Sequence, residues 1–299
     1  MATRPEGQAW AFVLGTGRCG SSIVHEVLAR HPDVGFISNL EDRFGLPPAA
    51  GRWNSQIYRR LPISWQHKGR LRFAPSEAYR ALNRSVSPIM SMPMRDLSEG
   101  DATPWLRERT WSFFAARAAA QDKALFLHKL TGWPRSGLLT AALPEARFVH
   151  VVRDGRAVAS SWLQMPWWRG YGGPQHWQFG PLDPADTETW ERSGRSFVVL
   201  AGLAWRMLVD AHAEARQTAT AGSWIDVRYE DVLADPIRAH RRLVEHLGLP
   251  WNVAFEQNIL KYRFTTARAT AYRDDLGPEA VDQLTEILGP ALAVWGYST

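Results

Sequence analysis

Short apolar runs alternate with amphipathic stretches along this chain. Four of the runs have the length and apolar character of buried strands, at 9–14, 124–128, 147–152 and 223–227. Between and after them apolar residues recur at helical spacing, which predicts helices at 21–30, 156–163, 187–218 (as one helix or two), 236–247 and 279–288. Strands that alternate with helices form parallel sheets with crossover helices. The pattern therefore predicts an α/β fold with a central parallel sheet flanked by helices.

Two segments interrupt this alternation, at about 43–122 and 164–186. The first is rich in Pro, Arg, Trp and Ser as far as residue 110 and shows little periodicity, and the second carries Trp167, Trp168 and Trp177. No low-complexity linker divides the chain. We therefore expect one domain over 1–299, with both segments as insertions that form lids over a site.

The composition is that of a globular protein with an excess of positive charge. The chain has 299 residues, a formal net charge of +5 and one cysteine. The charge favours an anionic ligand, and because the cations form no basic tail we expect no nucleic-acid partner. No run reaches the ~18 apolar residues of a membrane span, and residues 1–7 lack the apolar core of a signal peptide. Because a single cysteine also fits a reducing compartment, we expect a cytoplasmic protein.

Residues 15–22, Gly-Thr-Gly-Arg-Cys-Gly-Ser-Ser, form the most informative segment. They lie between a predicted strand and a predicted helix, where backbone N–H groups form a cradle for an anion. Gly15 and Gly20 keep the Walker A spacing, but Ser21 stands where a nucleotide triphosphatase carries lysine. The cation of this loop is Arg18 instead. The loop is therefore predicted to hold a phosphate without the lysine that reaches a β- or γ-phosphate.

A second anion site is indicated just after the strand predicted at 147–152. Arg153 follows this strand directly, at the edge of a parallel sheet where ligands bind. Ser161 comes eight residues later, about two turns into the next helix, so both side chains are able to approach one phosphate. Taken alone, the pattern is more typical of an Arg-Asp turn and a solvent-facing serine. The phosphate loop predicted at 15–22 reverses this preference. Beside it, Arg153 and Ser161 are better explained as a second phosphate-binding segment.

Together the two segments resemble the signature of the sulfotransferases that use 3′-phosphoadenosine 5′-phosphosulfate (PAPS). In that family a loop like 17–22 holds the 5′-phosphosulfate, and a segment like 152–161 holds the 3′-phosphate through its Arg and second Ser. The resemblance extends to 228–232. The carboxyl-terminal residues 272–297 are similar to the branch that contains tyrosylprotein and many bacterial sulfotransferases. Residues 43–122 are not covered by it.

The resemblance implies a P-loop-like sheet and PAPS as co-substrate. Sulfuryl transfer needs no metal where cations and amide groups take up the developing charge, so no metal site is expected. Tyr229 is implied near the adenine, and Arg268 or Arg273 at the 3′-phosphate. The implied cofactor-binding residues are Gly17, Arg18, Cys19, Gly20, Ser21, Ser22, Arg153, Ser161, Tyr229 and Arg268.

The same resemblance implies a catalytic pair. Lys129 follows a predicted strand and is similar to the lysine that stabilises the leaving group. Cytosolic members use a histidine two residues after this lysine, but here the position is Thr131. Other branches use a glutamate after the first helix, which implies Glu41 as the base that takes the acceptor's proton, with Asp42 or a histidine as alternatives.

The function predicted is therefore transfer of a sulfuryl group from PAPS to a hydroxyl of a small-molecule, lipid or glycan acceptor. The tryptophans of 164–186 suit an aromatic, lipid-like or glycosylated acceptor. Two alternatives remain open at this point. They are a P-loop kinase of small molecules, which needs a lysine at the position of Ser21, and a non-catalytic nucleotide-binding module.

Overall fold

The computed structural model of the chain describes residues 9–63 and 73–299. Within them lies one parallel sheet of five strands: β1 (Ala9–Leu14), β2 (Val34–Gly35), β3 (Leu125–Lys129), β4 (Arg147–Val152) and β5 (Trp224–Arg228). The spatial order is β2-β3-β1-β4-β5, and every neighbouring pair is parallel. The predicted α/β fold with a parallel central sheet is confirmed. The predicted insertion 43–122 includes residues 64–72, which lie outside the described residues.

Helices cover both faces of the sheet. In chain order they are α1 (Ser21–Leu28), α2 (Asn39–Phe44), α3 (Asn54–Arg60), α4 (Tyr79–Ser85), α5 (Pro104–Gln121), α6 (Ser136–Ala142), α7 (Gly155–Leu163), α8 (Pro184–Arg192), α9 (Phe197–Thr218), α10 (Tyr229–Ala234), α11 (Pro236–His246), α12 (Val253–Leu260), α13 (Ala267–Thr270), α14 (Tyr272–Leu276) and α15 (Pro278–Val294). Short 3₁₀ turns lie at Pro48–Trp53, Pro88–Met90, Glu99–Asp101 and Gly170–Gly172. Among the described residues, no helix has both the length and the apolar character needed to cross a bilayer.

The alternation of side chains along β1 explains why the sheet has a core on each face. Ala11 and Val13 pack into the core with α1, α7 and α9. Trp10 and Phe12 point the other way, into the core with α5 and α6. Successive side chains of a strand point to opposite faces, so a strand buried on both faces is apolar throughout. This burial is the reason that the short apolar runs predicted the strands.

Helix boundaries differ from the predictions where turn residues decide them. The segment 187–218 is two helices, α8 and α9, because Gly194 and Arg195 between them have φ angles of 68° and 59°. Helix α15 extends past its predicted end at residue 288 and contains Pro290, since Leu292 beyond it is fully buried in the core. Strand β2 is only two residues long, too short to produce a pattern.

Part of the predicted insertion 43–122 belongs to the body of the fold. Helix α5 begins at Pro104, with Thr103 as its N-cap, and packs Phe113, Phe114 and Ala118 into the core under the sheet. Its hydrophobic face is broken by charged residues, so the sequence shows no clear period there. The segment 104–121 therefore covers the sheet and not a binding site.

The buried histidines predict how stability depends on pH. His128 of β3 lies between the rings of Phe12 and Phe114, and burial lowers its pKa to about 3. Burial likewise lowers the pKa values of His25, His212 and His240. Below about pH 6.5 these histidines bind a proton in the unfolded chain, whereas in the folded chain they stay neutral. The free energy of unfolding is therefore expected to fall as the pH drops below about 6.5.

His128→Phe is expected to weaken this dependence by about 1.4 kcal/mol per pH unit, because one linked proton is removed. Urea denaturation at several pH values between 5 and 7 measures the slope. His176→Phe is the matched control, since His176 is exposed. Equal slopes for His128→Phe and the unchanged protein would contradict the prediction.

Candidate active site

A cavity of about 790 Å³ lies at the carboxyl ends of the central strands. β1 is hydrogen-bonded to β3 on one side and to β4 on the other, with Val13 opposite Lys129 and Leu14 opposite His150. The loop after β1 therefore lies between the residues that follow β3 and those that follow β4. This is the edge at which open parallel sheets bind ligands.

The loop 15–20 is held in shape from both sides. Gly20, the N-cap of α1, has a φ of 91°, and a Cβ there would lie 2.1 Å from Cδ2 of Tyr229. Below the loop, Cys19 is fully buried, and a Cβ on Gly15 would lie 2.5 Å from its Sγ. Glycine at 15 and 20 therefore permits the close packing of Tyr229 and Cys19 against the loop.

Three arginines converge beside this loop. Arg153 donates hydrogen bonds to the carbonyl oxygens of Arg18 (3.0 Å) and Arg268 (2.7 Å), and its guanidinium lies over the ring of Tyr229. Partial burial, and then the charges of Arg153 and Arg268, lower the pKa of Arg18. In the part of the chain that the structure describes, none of the three forms an ion pair with an acidic side chain. Clustered cations without acidic partners are an anion-binding arrangement.

Ser161 and Lys129 lie on opposite sides of the loop. Arg18 donates from Nε to Oγ of Ser161 at 2.9 Å, which places the second motif beside the first. Lys129, the last residue of β3, donates from Nζ to Oγ of Ser22 at 2.7 Å. The structure thus brings together the predicted Arg18, Ser22, Lys129 and Ser161. Cys19 does not line the cavity, and its side chain fills the core beneath.

Lys129 also forms an ion pair with an acid that the sequence did not indicate. Its Nζ lies 2.9 Å from Oε1 of Glu77, whose side chain is one-third exposed and lines the cavity. The segment before α4 fixes the position of Glu77. The backbone N–H of Ser76 donates to the carbonyl of Ile37, and the backbone N–H of Asn39 donates to the carbonyl of Ala74. Of the described residues that line the cavity, Glu77 is the only acidic one.

The structure places Glu41, predicted as the base, away from this cavity. Glu41 is buried at the third position of α2, where its Oε2 accepts from the backbone N–H and the hydroxyl of Ser38, each at 2.8 Å, and from Asn54. It lines a separate cavity beside Arg84 and Arg117. Ser-x-x-Glu before an apolar run is the capping-box signature, so the sequence did contain the signal for this structural role.

Of the alternatives to Glu41, Asp42 and His128 lie away from the cavity, whereas His25 lines a smaller neighbouring cavity together with Ser22, Glu77 and Lys129, and His176 lines the main one. Asp42 accepts from the backbone N–H of Ala81 and fixes the start of α4. His128 is buried under the sheet. His25 is buried on α1, where burial and then the charge of Lys129 lower its pKa well below the usual value. No sequence signal indicated Glu77, because it lies in an irregular segment whose position depends on its pairing with residues 37–39.

The second predicted insertion also lines the cavity. Trp167, Trp177 and Phe179 face it from 164–186. Phe179 stacks on Trp162 of α7 with ring centroids 5.2 Å apart, and Trp177 packs edge-on against Phe179 at 5.5 Å. Among the described residues of the first insertion, those that line the cavity are Glu77, Tyr79 and 91–93. Within the described residues, no group of three or more His, Cys, Asp or Glu side chains is placed to hold a metal ion.

Comparisons with known proteins agree with this architecture. The sequence profile of the Sulfotransferase family matches residues 11–253. The fold is similar to that of sulfotransferase STF9 from Mycobacterium avium, with a TM-score of 0.59 and 18% identity over 98% of this chain and 78% of that one.

Two further structures are similar. Sulfotransferase STF1 from Mycobacterium tuberculosis H37Rv has a TM-score of 0.56 and 16% identity, over 90% of this chain and 76% of that one. The sulfotransferase domain of the Synechococcus PCC 7002 olefin synthase has a TM-score of 0.50 and 17% identity, over 97% and 98% of the two chains. At these identities the likeness is one of fold. No curated protein sequence matches the chain significantly.

The contact between Gly20 and Tyr229 gives a test of the loop's packing. Gly20→Ala forces a left-handed conformation on alanine and a clash with the ring, and is expected to lower the free energy of unfolding by about 2–4 kcal/mol. Gly222→Ala is the control, because Gly222 also has a positive φ of 77° but no atom within 4 Å of the added Cβ. Urea denaturation of both variants measures the difference, and equal losses would show that Tyr229 does not pack as described.

Proposed function

Because the chain belongs to the sulfotransferase family, we propose that it transfers a sulfuryl group from PAPS to the hydroxyl of a small-molecule or glycan acceptor. Membership makes the protein a sulfuryl-transferring enzyme, which decides against the small-molecule kinase and the non-catalytic module. The observation that carries the proposal is the position of Lys129. Its ammonium bonds both to Ser22 of the anion loop and to Glu77, in one cavity with the three arginines.

The cationic end of the cavity fits the nucleotide. Arg18 and the backbone N–H groups at the start of α1 are assigned to the 5′-phosphosulfate, where a helix N-terminus favours negative charge. Arg153, Ser161 and Arg268 are assigned to the 3′-phosphate, which carries roughly −1.5 to −2 charges at neutral pH. Tyr229, packed on Gly20, offers its ring to the adenine.

Glu77 replaces Glu41 in this proposal as the general base. Its carboxylate lies 2.9 Å from Nζ of Lys129, is one-third exposed and lines the cavity, so an acceptor hydroxyl has access to it. It takes the proton of the hydroxyl as the oxygen forms its bond to sulfur. The bond between sulfur and the phosphate oxygen breaks at the same centre, and the electron pair stays on that oxygen.

Lys129 is proposed to stabilise this leaving oxygen. An ammonium that is held by Ser22 at 2.7 Å is directed at the phosphate position of the loop before any ligand binds. A preorganised cation of this kind stabilises charge as it develops and needs no reorganisation during the reaction. The products are the sulfated acceptor, adenosine 3′,5′-bisphosphate (PAP) and the proton on Glu77.

Two matched substitutions test the choice of base. Glu77→Gln is expected to lower kcat by roughly 10²–10⁴-fold, the usual contribution of a general base, with PAP affinity nearly unchanged. Glu41→Gln keeps a capping box and is expected to retain turnover, with a loss of stability of about 1 kcal/mol. An acceptor screen with labelled PAPS, followed by product mass, supplies the assay. Retained turnover in Glu77→Gln together with loss in Glu41→Gln would restore Glu41 as the base.

The arginine cluster is tested by the affinity for PAP. Arg153→Ala is expected to weaken binding by roughly 10–100-fold, because hydrogen bonds to charged groups contribute about 1.5–3 kcal/mol. Arg268→Ala is expected to have a smaller effect of the same sign. Arg273→Ala is the control, since Arg273 does not line the cavity. Titration calorimetry at two salt concentrations measures the affinities, and a larger effect at Arg273 than at Arg268 would contradict the assignment.

A further inference from the structure

The cavity has an aromatic wall formed by three side chains of the segment 164–186, Trp167, Trp177 and Phe179. The wall is held by the body of the fold, because Phe179 stacks on the fully buried Trp162. Trp177 packs on Phe179 and donates its indole N–H to the carbonyl of Gly180 at 2.5 Å. A rigid wall of this kind binds a flat apolar body at little entropic cost.

The charges that line the cavity are unequal. Within the described residues, six cationic side chains of Lys and Arg line it against one acidic side chain, Glu77. Arg18, Arg153 and Arg268 are assigned above to the nucleotide, and Lys129 is held by Ser22 and Glu77. Two arginines that line the cavity, Arg135 and Arg169, remain.

These two arginines differ in their contacts. Arg135 is buried, and its guanidinium donates to the carbonyl oxygens of Thr131 (3.1 Å) and Trp133 (2.5 Å). Arg169 lies on the same insertion as the aromatic wall and is exposed. Its guanidinium has no hydrogen-bond or ion-pair partner within residues 9–63 and 73–299. One cation beside the wall is therefore left without a protein or nucleotide partner.

We propose that the acceptor is a flat, apolar hydroxyl compound that carries a second, negatively charged group, and that Arg169 binds this group. A guanidinium presents paired N–H donors that match a carboxylate. The aromatic wall holds the apolar body, Glu77 faces the hydroxyl and Arg169 selects the charge. This inference rests on the proposed function and adds the class of acceptor to it.

The test uses three phenols of similar size and different charge: 3-(4-hydroxyphenyl)propionate, 4-propylphenol and tyramine. Each is titrated into the complex of the enzyme with PAP, and quenching of tryptophan fluorescence reports binding without turnover. The propionate is expected to bind about two- to fivefold more tightly than 4-propylphenol, the range of an exposed ion pair, and tyramine more weakly than both.

Charge reversal at one position makes the assignment specific. Arg169→Glu is expected to invert the order, with tyramine the tightest ligand, whereas Arg169→Lys keeps the order of the unchanged protein. Arg192→Glu is the matched control, because it makes the same change of net charge on the exposed surface of α8 and does not line the cavity. Arg169→Glu is expected to leave PAP affinity within about twofold, as a residue outside the nucleotide end should.

The outcomes separate the two proposals. Failure of the unchanged enzyme to bind PAP contradicts the proposed function. Binding of PAP with an order of phenols that does not follow charge, or with no phenol bound, overturns the acceptor inference alone. The same holds if Arg169→Glu weakens PAP binding as strongly as it changes phenol selectivity, because Arg169 would then belong to the nucleotide. An order inverted in Arg169→Glu and retained in Arg192→Glu supports the inference.

Discussion

The central position of β1 is the constraint on which the rest of the site depends. Hydrogen bonds to β3 and β4 place the ends of three parallel strands side by side, so the loop 15–20 lies between Lys129 and Arg153. Residues more than a hundred positions apart in the chain become neighbours for this reason alone, as in the bond from Arg18 to Ser161. The apolar alternation of β1, which buries both faces, holds the strand in this position.

The site built on this frame separates two kinds of surface within one cavity. Three arginines lie together beside the loop, where partial burial and then the charges of Arg153 and Arg268 lower the pKa of Arg18, and these cations are stabilised when an anion binds. Aromatic side chains line the same cavity, and one of them, Phe179, stacks on Trp162. The ion pair between Lys129 and Glu77 also lines it. A transfer reaction needs such an arrangement, because donor and acceptor must be held in line about one point.

The two candidate glutamates show where sequence reasoning succeeds and fails. The capping box of Ser38 and Glu41 is a local pattern with a fixed spacing, and it determines that the Glu41 carboxylate bonds to the chain. Glu77 has no such pattern. It lies in an irregular segment, and the bonds of Ser76 to Ile37 and of Asn39 to Ala74 bring it to Lys129. The family resemblance implied Glu41, which lies in a local pattern, whereas the acidic side chain next to Lys129 lies in a segment without one.

The sequence by itself determined the parallel sheet, the anion loop with Arg18 in place of a lysine, and the strand-end residues Lys129 and Arg153. These follow from local rules, because burial sets the pattern of a strand and a glycine-rich turn precedes a helix by a fixed number of residues. Only the tertiary structure decided that Glu77 meets Lys129, that α5 covers the sheet, and that Arg169 lines the same cavity as the aromatic wall. These depend on contacts between distant segments, and no local spacing encodes such contacts.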